Sequence, residues 1–208
     1  LALGANAAAS GTLAWNQART IGGLAFSSTT TSYTVGDAGA SLQFARSSGI
    51  PSISVAAANG KPQTIASRIE LYETTTAVSN DSAQPLWITG TIVGQGGLTV
   101  DGTGPVVFAN NNTYTGDTTI DGGTAGPAVA RITRSRPFGT GTVALAPGGN
   151  ATTARIEIQD TRSVPNTIRF SGRNNASVGL LNLSGTNDFQ GSIVAVVGGT
   201  SYIIQTDA

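Results

Sequence analysis

Carboxylates are the side chains best suited to acid–base chemistry in this sequence, because it contains no histidine and no cysteine. A Ser-His-Asp triad, a Cys-His pair, a His-ligated zinc and a thiolate metal site are therefore all excluded. Asp117 and Asp121 stand four apart. In a strand they share a face but lie about 13 Å apart, beyond the roughly 5–9.5 Å that glycoside hydrolysis uses. Asp101 and Asp121 would approach each other only if successive turns of a coil stacked them. Glu70 and Glu73 point to opposite faces of a continuous strand. Calcium-dependent cleavage of a polysaccharide would need a cluster of Asp ligands with an Arg or Lys base. Ten arginines are present, but the acids are dispersed. The bland reading, solvated turn and surface carboxylates, is preferred, and no catalytic, cofactor-binding or metal-ligating residue is assigned.

The one dense basic spot is "RITRSRPF", which gathers Arg131, Arg134 and Arg136. It is a candidate interaction patch for an anionic glycan or a neighbouring subunit, with an exposed loop as the plainer reading. "GQGG" and "GTGTV" lack the lysine and following helix of a phosphate-cradling loop. Trp15, Tyr33, Tyr72 and Trp87 are scattered, as expected of packing residues rather than a sugar-stacking row. Asn-x-Ser/Thr triplets at Asn80, Asn111, Asn150, Asn175 and Asn182 are expected by chance in a chain so rich in these residues.

Such groups need a scaffold, and composition narrows it. The 208 residues are 39% hydrophobic, enough for a core, but only 11% charged, against about 25% in an ordinary domain. Net charge is zero and Lys61 is the only lysine, so nothing electrostatic favours nucleic acid or an acidic membrane. No apolar run approaches the roughly 20 residues of a membrane span. Helical periodicity is absent. Short alternating strands recur instead: "SISV" (Ile53, Val55 inward), "RIELYE" (Ile69, Leu71), "PLWITG" (Leu86, Ile88), "GLTVDG" (Leu98, Val100) and "PVVFAN" (Val106, Phe108). "TVALAP" (Val143, Leu145), "ARIEIQD" (Ile156, Ile158), "NTIRFSG" (Ile168, Phe170), "GLLNLSG" (Leu181, Leu183) and "GSIVAVV" (Ile193, Val197) continue the series.

Strand centres about every 12 residues suit a sandwich or a β-solenoid. Internal repetition decides for the solenoid. "NTYTGDTTIDGGT" is echoed by "NDFQGSIVAVVGGT", which aligns Asn112 with Asn187, Tyr114 with Phe189 and Gly116 with Gly191. The 75-residue separation equals three coils of about 25, and every coil must turn the same corner. Gly is expected there for a positive φ, and Asn for its tolerance of that conformation and its bonds to local backbone.

These residues also carry a resemblance. "GTIVGQGGLTVDGTGPVVFANNNTYTGDTTIDGGT", followed by "PFGTGTVALAPGG", resembles the passenger-associated transport repeat of bacterial autotransporter passengers. "GLLNLSGTNDFQG" resembles a degenerate second copy, and "RTIGGLAFSS" with "SYTVGDAGASLQF" the coils that precede it. The likeness covers most of the chain from about residue 15. It departs at Ala125, where the family usually has Leu, and in the irregular "GPAVARITRSRPF". It implies an all-β, right-handed parallel β-helix, exported to the bacterial surface or beyond, with no catalytic residues of its own.

Together these readings give about eight or nine coils. Residues 1–14 form an N-terminal extension or linker able to add a strand to a neighbour, and 15–208 a single solenoid with repeat units near 90–145 and 165–200. The expected role is a non-catalytic extracellular stalk, adhesin scaffold or self-assembling fibre subunit. Its partners would be copies of itself, head to tail, or further passenger segments, and extracellular glycans. The alternative is a polysaccharide-cleaving or glycan-binding β-helix. No capping helix is visible, so the ends are expected to meet further coils.

Overall fold

The computed structural model describes residues 1–3, 10–14, 17–37, 39–72, 74–122, 126–145 and 153–207. Trp15, Glu73, Thr124, Ala125 and Asn150, each considered above, lie outside these.

Among the described residues the chain is all-β, without a helix, and coils into a parallel β-solenoid of about eight turns. Three faces surround one core. The first is a nine-stranded sheet running from Ala2–Leu3 through Gly23–Phe26, Ser52–Val55, Thr76–Asn80, Leu98–Gly102, Thr118–Ile120, Val143–Leu145 and Ile168–Ser171 to Ile193–Val196. The second, also nine-stranded, runs from Ser10–Leu13 to Ile204–Thr206. The third is more broken. Arg19–Ile21, Ser41–Phe44, Arg68–Leu71 and Ile92–Gly94 form one sheet, and Ser163–Val164 pairs with Asp188–Phe189. Between these two sheets the ladder continues through single backbone bonds, such as Thr113 N–H to Ile92 O and Thr140 N–H to Tyr114 O, both 2.9 Å. Every strand pairing is parallel, and the only isolated bridge among the described residues is the antiparallel one between Arg173 and Ser201. No helix is long and apolar enough to cross a membrane.

Alternation builds the core. In Ser52–Val55, Arg68–Leu71, Leu86–Ile88 and Leu98–Gly102 the residues expected inward are buried, and their neighbours face out. Because register is parallel, the inward positions stack in columns, as in Ile53, Val78, Val100 and Ile120. At about 4.8 Å per step the rod is about 40 Å long.

Coil length is read from the register. Gly23 lies opposite Ser52, Thr76 opposite Leu98, and Leu98 opposite Thr118, so the early coils vary. From Thr118 the spacing becomes constant: Val143, Ile168 and Ile193 follow at steps of 25. The 75-residue echo therefore spans three whole coils.

Two expectations need correction. Ala2–Leu3 and Ser10–Leu13 pair in parallel with Gly23–Phe26 and Ser32–Val35, so these parts of 1–14 belong to the first coil rather than to a linker. In "GLLNLSG" the inward residue is Leu180, which stacks on Ile156, while Leu181 faces outward beside Glu157. Two adjacent leucines offer either phase, and the register of the coil below selects one.

Candidate functional site

The corner residues singled out by repetition stack in three columns. Asn112 is buried at the end of the second face. Its Oδ1 accepts from Ile92 N–H at 2.8 Å in the coil below, and its Nδ2 donates to Pro137 O at 2.6 Å in the coil above. One carboxamide thus ties three coils. Asn187 is half-buried and ties two coils rather than three: Oδ1 accepts from Arg162 N–H at 2.6 Å in the coil below, while Nδ2 donates within its own coil to Ser184 O at 2.7 Å and Asn182 Oδ1 at 2.6 Å. Tyr114 points into the core, where its Oη and Thr118 Oγ1 share a 2.5 Å hydrogen bond. Burial pushes the Tyr114 phenol above its ordinary range, the Thr118 bond opposing this in part. Phe189 packs against the same core and pairs with Val164.

Gly116 and Gly191 are required for a reason other than the expected one. Neither has a positive φ. A Cβ on Gly116 would stand 2.5 Å from Gly96 C and Gly97 N, and one on Gly191 would stand 2.1 Å from Asn166 O. At these two positions the coils pass too closely for a side chain. The column runs Gly116, Gly141, Asn166, Gly191, and Asn166 closes it by donating from Nδ2 to Gly141 O at 2.9 Å. Asn112 bonds between coils, whereas Asn187 joins one inter-coil bond to the expected local ones, to Ser184 O and Asn182 Oδ1.

The carboxylates are mostly engaged in the scaffold. Asp117 Oδ1 accepts from Thr142 N–H at 2.8 Å in the next coil. Asp101 follows Val100, which pairs with Ile120, so Asp101 and Asp121 do come one coil apart. Partial burial lifts the Asp101 carboxyl above its usual range. The Ser79 hydroxyl, 3.4 Å away, pulls it back, and the charges of Asp81 and Asp121 add to the rise. Among the described residues no group of three acids is placed to hold a metal.

The basic spot divides. Arg131 lies on the strand Val129–Ile132 and donates from Nε to Glu157 Oε2 at 2.7 Å. Arg155 grips the other oxygen, Glu157 Oε1, at 2.6 Å from its terminal nitrogen. Glu157 is buried between them, so Arg131 is a neutralised rung of the second face rather than a free cation. Arg134 and Arg136 are exposed at the following corner. Arg136 has a φ of 52° and lines a shallow cleft of about 330 Å³ with Thr140, Thr142 and Asn166. The structure thus separates Arg131 from the other two.

Sequence reading missed two features. Arg173 is fully buried at a corner without a carboxylate: its guanidinium donates to Ala154 O and, at 3.3 and 3.2 Å, to Ser177 O and Val178 O. It also lies 5.4 Å from the centre of the Phe170 ring, and burial lowers its pKa to about 10. Nothing in "SGRNN" distinguishes a buried arginine from an exposed one. The second feature concerns Tyr72. Tyr33 is core and Trp87 half-buried, but Tyr72 is 52% exposed, at the mouth of a cleft of about 360 Å³ on the third face. Residue type alone does not say which aromatic a coil leaves uncovered.

Comparison with family models, curated proteins and solved structures finds no match to this chain. The site must be interpreted from its own geometry.

Proposed function

We propose that the chain is a non-catalytic structural β-solenoid, an exported surface stalk, adhesin scaffold or fibre subunit of the autotransporter-passenger type, which works by stacking its end coil on further coils. Those coils are supplied by a second copy, head to tail, or by further passenger segments. One observation carries the reading. Ile168 and Ile193 occupy the same inward column, yet Ile168 is 0% and Ile193 42% exposed. On the second face Leu180 is 1% and Ile204, its register partner, 59% exposed. The residues are placed for a core that one more coil would complete, beside the outermost strands of the two nine-stranded sheets, Ile193–Val196 and Ile204–Thr206. A head-to-tail contact of this kind does not close on itself, so copies would extend into a filament. Zero net charge keeps repulsion between copies low. Engagement of Glu70, Asp117 and Glu157 in the scaffold supports a non-catalytic role.

The test is light scattering and negative-stain microscopy of the purified chain across a concentration series. Filaments or a rising mass are expected, and Ile193→Lys with Ile204→Lys should abolish them while leaving the far-ultraviolet spectrum unchanged. A strictly monomeric chain at the highest concentration would overturn the reading.

A further inference from the structure

We infer that the third face carries a binding site for a neutral pyranose unit of a polysaccharide, formed by Arg68, Glu70, Tyr72, Val93 and Gln95. This goes beyond stacking of the coils and does not depend on it.

The site begins as a ladder on the outside of the third face. Thr20, Gln43, Glu70 and Val93 share one outward column, a coil apart. Thr20 Oγ1 donates to Gln43 Oε1 at 2.9 Å, and Gln43 Nε2 donates to Glu70 Oε2 at 2.8 Å. At the next rung stands Val93, which offers no polar side chain, so the ladder stops at Glu70. The cleft of about 360 Å³ lies there, near the lower end of the roughly 300–1,000 Å³ range of small-molecule sites. Glu70 arrives oriented from below, with Oε1 held only by Arg68 at 3.4 Å. The Arg68 side chain remains half exposed, with most of its N–H groups directed to no acceptor among the described residues.

The opposite wall is aromatic. Tyr72 follows Leu71 out of the core, and the coil above it reads Gly94-Gln95-Gly96. Gly94 has a φ of 109°, and a Cβ on it would stand 2.0 Å from Leu71 O. One on Gly96 would stand 2.0 Å from Tyr72 O. The close approach of the coils thus requires residues without side chains on both sides of Gln95, which is why Tyr72 stays uncovered. The result is an aromatic ring, an apolar side chain at Val93, a carboxylate acceptor, a guanidinium and a carboxamide around one cleft. A sugar ring presents the complement: a C–H face for the aromatic ring, and adjacent hydroxyls that donate to Glu70 and accept from Arg68 and Gln95. Arg68 and Glu70 balance each other, so the cleft holds no net positive charge to draw an acidic sugar, which favours the neutral class.

The experiment is ligand-observed saturation-transfer NMR on the full chain at millimolar saccharide. The probes are neutral hexasaccharides of β-1,4-glucan, α-1,4-glucan, β-1,4-mannan and β-1,4-xylan, with a hexagalacturonate as the acidic comparison. At least one neutral hexasaccharide should bind. Tyr72→Ala should weaken it about ten-fold, the size of one lost ring contact, Tyr72→Phe should retain it, and Glu70→Gln should weaken it. Tyr72 and Gln95 are exposed, so Tyr72→Ala and Gln95→Ala should melt with the parent, which separates loss of the site from loss of the fold. No binding by any neutral probe, binding by the galacturonate alone, or neutral binding indifferent to both Tyr72→Ala and Gln95→Ala would each overturn the inference.

Discussion

Replacing Asn112 by alanine tests whether the repeated corner is held by inter-coil amide bonds. The substitution leaves two buried backbone groups unpaired: Ile92 N–H, which now bonds Oδ1 at 2.8 Å, and Pro137 C=O, which now receives Nδ2 at 2.6 Å. Each unpaired group costs about 1–3 kcal/mol. The shorter side chain admits little water, so a total of about 3 kcal/mol is expected, roughly a hundred-fold in the folding equilibrium. The matched control is Asn187→Ala. Asn187 makes three bonds to the two of Asn112, but only one of them crosses to another coil and the residue is half-buried, so water replaces them and about 1 kcal/mol is expected. Urea unfolding measures both. Hydrogen exchange adds a local readout, because the Ile92 amide should lose protection in Asn112→Ala well before the neighbouring core strands do. Equal costs for the two variants, or an unchanged Ile92 amide, would refute the reasoning and leave Asn112 as ordinary turn chemistry.

Other perturbations address the remaining contacts. Gly116→Ala forces a Cβ to within 2.5 Å of the Gly96 and Gly97 backbone, and should cost about 3 kcal/mol by urea unfolding. Glu157→Gln leaves Arg131 and Arg155 without their shared counter-charge. With both guanidiniums about one-third exposed, a loss of about 1–2 kcal/mol is expected, less than for a fully buried pair. For Asp101 the sign runs opposite to that of an ordinary paired carboxylate. Its folded pKa is raised, so the folded state holds the proton more tightly, and this group favours folding below the unfolded pKa of 3.8 and loses that contribution as pH rises through the folded value. Asp101→Asn should therefore be more stable than the parent at pH 7, and the advantage should vanish at pH 3. Thermal melts at the two pH values check it.

The strands were legible wherever three or four residues alternate between core and solvent, as in "SISV" and "GLTVDG". Parallel register then made the repeat spacing readable, because a stacked coil must return each residue type to the same column. Less was legible where strands are short. Ile92–Gly94, Ser163–Val164 and Asp188–Phe189 have two or three residues, too few to show a period. Val129–Ile132 was hidden for another reason: "VARI" reads as the start of a basic loop, and only the pairing of Arg131 with Glu157 reveals an outward rung of a sheet. Gly116 was expected to need a positive φ, yet it is the missing Cβ that its position requires, since sequence cannot separate a glycine needed for its φ from one needed for its missing Cβ. Val197 was expected to face the same way as Ile193, yet it lies beyond the strand and is fully exposed. The cleft at Tyr72 was invisible because its residues come from two coils, brought together by the parallel pairing of Arg68–Leu71 with Ile92–Gly94.

The constant step of 25 residues from Thr118 to Ile193 also makes this part of the rod a set of interchangeable cassettes. A cut of one full period, taken at matching points in adjacent coils of the first face, returns inward residues to the core, while the corner set as a whole recurs only after three coils, from Asn112 and Gly116 to Asn187 and Gly191. It would change the length of the rod by a single step of about 4.8 Å. Recombination between such coils can therefore lengthen or shorten the molecule in discrete increments that keep the first-face register, with the second face, whose steps are 26 and 24, absorbing the difference at its turns. The earlier coils, with their unequal lengths, lack this freedom, and the Tyr72 cleft lies among them.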